Sequence, residues 1–232
     1  MTTSLFALAG LLCTGPRVVA HDAHRAARPH VVHDTVRADS AIADAWGAAV
    51  PFAQFAPTIR ARKDEWRRGI DSARVDAATV ARGRAVGGTW RLLVVATDNC
   101  GDSMRAVPVL AALDDSLANV ELRVVSPSRG RAVQEAHRTW DGRVATPTIV
   151  LLDAAGRVAG CIVERPRPVR HDQRAARGAV MAGQLTTDSL TRTMLAWWRT
   201  DRGAALASEA VDLLVSAKDG SPLCERGLAP VR

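Results

Sequence analysis

The stretch Thr97–Met104, TDNCGDSM, has residue types at a spacing suited to thiol chemistry. Cys100 follows an apolar run and opens a helical pattern. Its sulfur is therefore expected at a helix N-terminus, where unpaired N–H groups and the positive end of the helix dipole favour the nucleophilic thiolate. Gly101 lets the backbone turn tightly before that helix. Ser103 lies one helical turn on, and its hydroxyl is expected to donate a hydrogen bond to the sulfur. Asp98 and Asp102 work against the thiolate, because nearby negative charge disfavours it. The frame is that of a redox dithiol with serine at the second cysteine position. A mixed disulfide formed at Cys100 then has no partner thiol inside the motif.

The chain holds 4 cysteines, and Cys161 and Cys224 are the auxiliary thiols to consider. Cys161 falls on a predicted strand, opposite Val150, where the plain expectation is a buried structural thiol. Cys224 lies in an irregular tail and can approach either Cys100 or Cys161; both pairings stay open. Cys13 sits in the N-terminal apolar stretch and does not match a lipoprotein cleavage site. His21, His24, His30 and His33 are close in sequence, but Pro29 and the lack of a periodic apolar face predict a flexible polar leader over 21–50. His137 falls on a short helix and is expected to be a surface or half-buried histidine, not a catalytic base. Of Trp197-Trp198, one ring is expected in the core. No GxGxxG, P-loop, HExxH or paired CxxC spacing occurs, so neither a metal nor a cofactor is expected.

These residues need elements to position them. PTIRARKDEWRRGIDSA at 57–73 has helical spacing, with Ile59, Trp66 and Ile70 on one face, and VDAATVARGRAV predicts a second helix stopped by Gly87-Gly88. The run WRLLVVAT at 90–97 is a strand buried on both faces. Residues 101–118 return to helical period, with Val107, Leu110, Leu113 and Leu117 on one side. Strands follow at 120–126, 146–153 and about 156–164, with a short helix after the first. The turn DAAG makes the last two antiparallel. The order is βαβαββ, followed by an arginine-rich loop, helices at 186–200 and 204–217, and an irregular tail over 218–232. The fold class is α/β, a three-layer sandwich with an N-terminal helical lead-in and C-terminal helices, and one domain over 51–217.

With Cys100 at the start of a helix, Pro108 within it, and Thr146-Pro147 opening a strand, the chain resembles the thioredoxin superfamily. Within it, the chain is similar to a bacterial group with a WCGD motif, here NCGD at Asn99–Asp102, a helical lead-in and an RP element after the last strand, here VERP at Val163–Pro166. The resemblance covers about residues 51–217. It implies that Cys100 is the nucleophile of the motif formed by Asn99, Cys100, Gly101, Asp102 and Ser103. It also implies that Thr146 and a cis Pro147 face the thiol and offer backbone hydrogen bonds to a peptide or glutathione.

Three departures bear on function. Ser103 replaces the resolving cysteine, Asn99 replaces an aromatic residue, and Val94 stands where the family places a buried carboxylate. Two functions follow. The first is thiol–disulfide exchange by Cys100 alone, with protein or small-molecule thiols and disulfides of the glutathione kind as partners. The second is a redox-inactive module of the same fold that binds a peptide or protein.

The 232-residue chain is 47% hydrophobic and 24% charged, enough for a substantial core. Its net charge of +7 rests almost wholly on arginine; Lys63 and Lys218 are its lysines. The densest basic stretch, Arg165–Arg177, lacks interleaved aromatics and predicts a solvated loop or helix edge, not a nucleic-acid surface. Residues 1–20 resemble a secretory signal, with an apolar core from Leu5 to Cys13 and a small-residue site at Val18-Val19-Ala20. No basic residue precedes that core, so two locations stay open: secreted or periplasmic if 1–20 is cleaved, cytoplasmic otherwise. The apolar core is too short to span a membrane.

Overall fold

A computed structural model describes residues 40–224. The chain order is α1 (40–48), β1 (Val50–Pro51), α2 (Phe52–Phe55), a 3-10 turn (Ala56–Thr58), α3 (Lys63–Ser72), α4 (Ala77–Val86), β2 (Trp90–Val95), α5 (Gly101–Ser116), β3 (Val120–Val125), α6 (Arg131–Ala136), β4 (Thr148–Leu152), β5 (Val158–Val163), α7 (Arg167–Met181), α8 (Thr187–Asp201), α9 (Ala204–Lys218) and β6 (Leu223–Cys224). The signal-like segment 1–20, Cys13 and the four leader histidines lie outside the described residues.

The apolar runs form one mixed sheet in the order β1-β3-β2-β4-β5-β6. β2 and β3 are parallel, from Trp90 opposite Val120 to Val95 opposite Val125. β4 runs antiparallel to β2, and the hairpin to β5 sets Val150 opposite Cys161. Side chains alternate between the two faces of a strand, and both faces here are apolar. Leu92, Val94, Ile149, Leu151 and Ile162 share a core with α3, α4, α5, α8 and α9. Leu93, Val95, Val150, Leu152, Cys161 and Val163 share the opposite core with α1 and α6. The result is an α/β three-layer sandwich. Val107, Leu110, Leu113 and Leu117 are fully buried, so the 3.6-residue period in this segment reports its core face.

Four expectations need correction. The flexible leader does not extend to residue 50. Ile42 and Ala45 bury one side of α1 against the sheet, Ala49 is also buried, and Val50 pairs with Val124. Trp46 lies under the guanidiniums of Arg91 and Arg123, at 5.4 and 4.7 Å from the ring centre.

The helix expected over 57–73 is interrupted. Arg62 takes a left-handed conformation, φ 52°, and the backbone N–H groups of Arg60 and Ala61 donate to the Asp98 carboxylate at 2.8 and 2.9 Å. A distant partner thus overrides local helical preference.

The arginine-rich segment is mostly helix, α7. Pro168 suits a first helical turn. Val169 is buried, while Arg174 and Arg177 stack over Trp140 at 5.7 and 5.0 Å. Finally, the tail is not irregular throughout: β6 adds parallel to β5, with Cys224 in register with Cys161.

Candidate functional site

Cys100 stands at the junction of β2 and α5. It is the N-cap of α5, and its Sγ accepts the backbone N–H of Ser103 at 3.5 Å. A sulfur here takes the place of the hydroxyl or carboxylate that usually caps a helix. On its other side, Sγ lies 3.1 Å from the Thr146 carbonyl oxygen. The thiol proton is donated to that oxygen. Loss of the proton turns this contact repulsive while the charged sulfur strengthens the Ser103 N–H bond. The thiol is half-buried and is the free cysteine among the described residues.

The Thr146–Pro147 peptide bond is cis. Antiparallel pairing of β2 with β4 sets Val95 beside Thr148, which brings this dipeptide to the end of the sheet where Cys100 begins its helix. Pro147 is buried, and its carbonyl accepts the Glu164 N–H at 2.8 Å. The sheet therefore unites two sequence-predicted groups, Cys100 and Thr146-Pro147.

Ser103 differs from expectation. Its side chain is fully buried, and Oγ has no hydrogen-bond partner among the described residues. The helix directs its N–H, not its hydroxyl, at the sulfur. Asn99 is exposed, and its Oδ1 is 3.4 Å from Thr97 Oγ1.

The two acidic groups do not act as bare charges. Asp98 is held below the usual carboxylate range by the N–H groups of Ala61 and Arg60, and its carbonyl accepts Trp66 Nε1 at 2.8 Å. It fastens the lead-in to the motif loop. Asp102 Oδ2 takes Nε and Nη2 of Arg165 at 2.9 and 2.7 Å, and Arg105 Nη1 lies 3.6 Å from Oδ1.

Sequence reasoning missed these arginines. Arg105 Nη1 donates to the Gly101 carbonyl at 2.6 Å. A Cβ on Gly101 would stand 3.0 Å from Arg105 Nη1 and 3.2 Å from Arg62 Nη1; glycine leaves room for both cations. Arg62 is raised from its ordinary value mainly by Glu65, with Cys100 adding to it. Arg105 is lowered, mainly by burial, against the pull of Asp102. Nothing in the spacing of Arg62, Arg105 and Arg165 marks them. Arg165 stands out only as part of the RP element and as the first residue of the basic stretch Arg165–Arg177, neither of which points to Asp102.

Residues 49–177 match the family described as thioredoxin. The chain belongs to the thioredoxin family. No curated relative matches this thioredoxin-family chain. Among solved structures it is similar to a Pseudomonas aeruginosa protein of unknown function, 20% identical, with a TM-score of 0.52 over 77% of this chain and 96% of the other. An HIV epitope-scaffold is similar to the same degree, 20% identical with a TM-score of 0.52, over 77% of this chain and 97% of that one. Such likenesses speak to the thioredoxin fold alone.

Beside the motif a cleft of about 710 Å³ opens between α3, α5 and α8. Arg68, Arg105 and Arg202 line it with Glu65, over an apolar floor that includes Met104 and Trp198. Trp198 is the buried ring of its pair, and Trp197 stands edge-on at 5.4 Å.

The auxiliary thiols are corrected as well. Cys161 and Cys224 form a disulfide with a Cα–Cα distance of 4.6 Å. Neither is therefore a free thiol able to resolve a bond at Cys100. His137 is buried, not at the surface, with Nδ1 2.8 Å from the Val133 carbonyl oxygen. No helix among the described residues is long and apolar enough to cross a membrane.

Proposed function

We propose that this thioredoxin-family protein exchanges thiols and disulfides through Cys100 alone. The thiolate attacks a substrate disulfide. A bond forms from Cys100 Sγ to one substrate sulfur, and the other leaves as a thiolate. A second thiol, supplied as a small molecule of the glutathione class, then attacks the mixed disulfide and releases Cys100. Cys100, Ser103, Thr146 and Pro147 carry the exchange: the Ser103 N–H holds the sulfur's charge, and the Thr146-Pro147 backbone aligns the substrate. The motif turn of Asn99, Gly101 and Asp102 shapes the approach.

The observation that carries this reading is a half-buried, unpaired thiol. It is capped by the first turn of α5 and lies beside Thr146-Pro147. The arginines near the motif suit a thiol that bears carboxylates.

A second reading, a binding module without turnover, is favoured by the 3.1 Å contact to the Thr146 carbonyl, which keeps the thiol proton engaged. Incubation with glutathione disulfide and a glutathionylated protein separates the two. Mass analysis of the parent is expected to find one glutathionyl group on Cys100, and the glutathionylated protein is reduced when glutathione is present. Cys100→Ala loses both. Equal behaviour of parent and variant overturns the exchange reading and leaves the binding module.

A further inference from the structure

We propose that Cys161, Cys224 and His137 form a binding site for a thiophilic divalent cation of the zinc class once their disulfide is reduced. One ligand atom from each of the three residues lies within 4.8 Å of the others. The donor set is two sulfurs and an imidazole nitrogen, which selects zinc-like cations over magnesium or calcium. Zinc binds sulfur at about 2.3 Å and imidazole nitrogen at about 2.0 Å, so its two sulfurs stand roughly 3.8 Å apart. Broken disulfide sulfurs need to separate only from bonding to contact distance to meet that geometry.

Backbone pairing also brings the two sulfur-bearing strands together. β6 pairs with β5 through Gly160–Leu223 as well as Cys161–Cys224. A Cβ on Gly160 would stand 3.0 Å from the Leu223 carbonyl oxygen, so glycine permits this close approach of the tail. His137 comes from the segment just after α6, on the same side of the sheet as Cys161. Its Nδ1 faces the Val133 carbonyl at 2.8 Å. That contact fixes the orientation of the ring, as partners of a metal-binding imidazole commonly do. Cys161 and His137 are buried, at 4% and 7% exposure. Two thiolates neutralise a dication, which keeps the net charge of the buried complex at zero. Arg167, Arg170 and Glu209 line the adjoining cavity, with Arg170 paired to Glu209 at 2.7 Å.

The chemistry balances with an external dithiol. The disulfide takes two electrons and two protons from the dithiol, which leaves as its own disulfide. The cation then binds as the two thiols release two protons, with a water in the fourth position. The site owes nothing to Cys100, so it stands or falls apart from the proposed exchange.

A background of Cys13→Ser and Cys100→Ser leaves Cys161 and Cys224 as the thiols of the full chain. The protein is reduced with a phosphine, and the gain of two hydrogens is verified by mass. It is then titrated anaerobically with cobalt(II) as the probe. The expected result is a thiolate-to-cobalt charge-transfer band that saturates at one equivalent, is discharged by zinc, and is absent from the oxidised protein. The leader histidines bind cobalt without such a band. Cys224→Ser is expected to weaken cobalt binding at least tenfold, and so is His137→Gln. A reduced, folded protein without the band overturns the proposal, and so does a band unchanged in Cys224→Ser. Unchanged affinity in His137→Gln removes the imidazole and overturns the three-ligand site. Where that variant does not fold, the ring resonances of His137 in the parent decide, and resonances unmoved by zinc overturn it.

Discussion

Cys100 and the Cys161–Cys224 pair occupy one sheet under opposite constraints. Cys100 sits where a strand ends, with its sulfur shared between a helix N–H and a carbonyl and three arginines grouped around the motif. Cys161 and Cys224 sit across a strand pair at the sheet's edge, where register alone brings their Cα atoms to 4.6 Å. The first place leaves a thiol available to an incoming molecule. The second commits two thiols to each other. The lesson is that backbone pairing decides the fate of a cysteine more than its immediate sequence does.

The largest expected effect comes from making the first region resemble the second. Ser103→Cys sets a thiol one helical turn from Cys100, in a buried position whose hydroxyl has no partner among the described residues. An intramotif disulfide is expected, with insulin reduction at least tenfold above the parent. Free thiols throughout would show that the motif has lost dithiol geometry as well as the second cysteine.

Conversely, Cys224→Ser makes the second region resemble the first. The bond spans a sequence separation of 63, so its loss is expected to cost about 4 kcal/mol by the chain-entropy estimate. A urea midpoint reads this. The rate of Cys100 alkylation should stay within about twofold, because stability effects at separated sites are nearly independent. A larger change would couple the two regions.

Arg165→Ala strips Asp102 of its closer cation. The pair is mostly buried, at 14% and 11% side-chain exposure, so a loss of about 2–3 kcal/mol is expected. Unlike Cys224→Ser, this variant should also alter Cys100 alkylation, since Asp102 lies in the first turn of α5. An unchanged rate would limit the network to stability.

The smallest effect concerns the far end of α5. Burial raises Asp114 from 3.8 to about 6, and Asp115 and Glu121 add to the rise. A carboxyl raised by folding stabilises most below its unfolded value, and that contribution is lost as pH climbs through the folded value. The parent should therefore lose about 1–2 kcal/mol relative to Asp114→Asn between about pH 4 and 6, after discounting for partial exposure. Denaturant melts across that window check it. Cys100 reactivity should not respond, which separates the two ends of the helix.

Much of the frame was legible because it depends on neighbours in the chain. The apolar run at 90–97 and the helical period of 101–118 gave β2 and α5 within a few residues. The DAAG turn placed Cys161 opposite Val150, since a short hairpin leaves little freedom of register. The lead-in near Arg60 and the basic helix α7 were harder. Their conformations rest on Asp98, Glu209 and Trp140, none of which is near in sequence. Glu209, for example, takes the Arg167 N–H at 2.6 Å and Arg170 Nη2 at 2.7 Å from α9. The ligand cluster His137–Cys161–Cys224 has no motif at all, because its spacings cross three separate elements.

Amino-acid order by itself determined the succession of strands and helices, the capping position of Cys100, the absence of a second motif thiol and the resemblance to the thioredoxin family. Each follows from side-chain period and local backbone preference. Only the tertiary structure decided that Asp102 is paired with Arg165, that the Ser103 amide and not its hydroxyl meets the sulfur, and that Cys224 belongs to Cys161. Those outcomes depend on distances between remote segments, which become definite only when both faces of the sheet are buried.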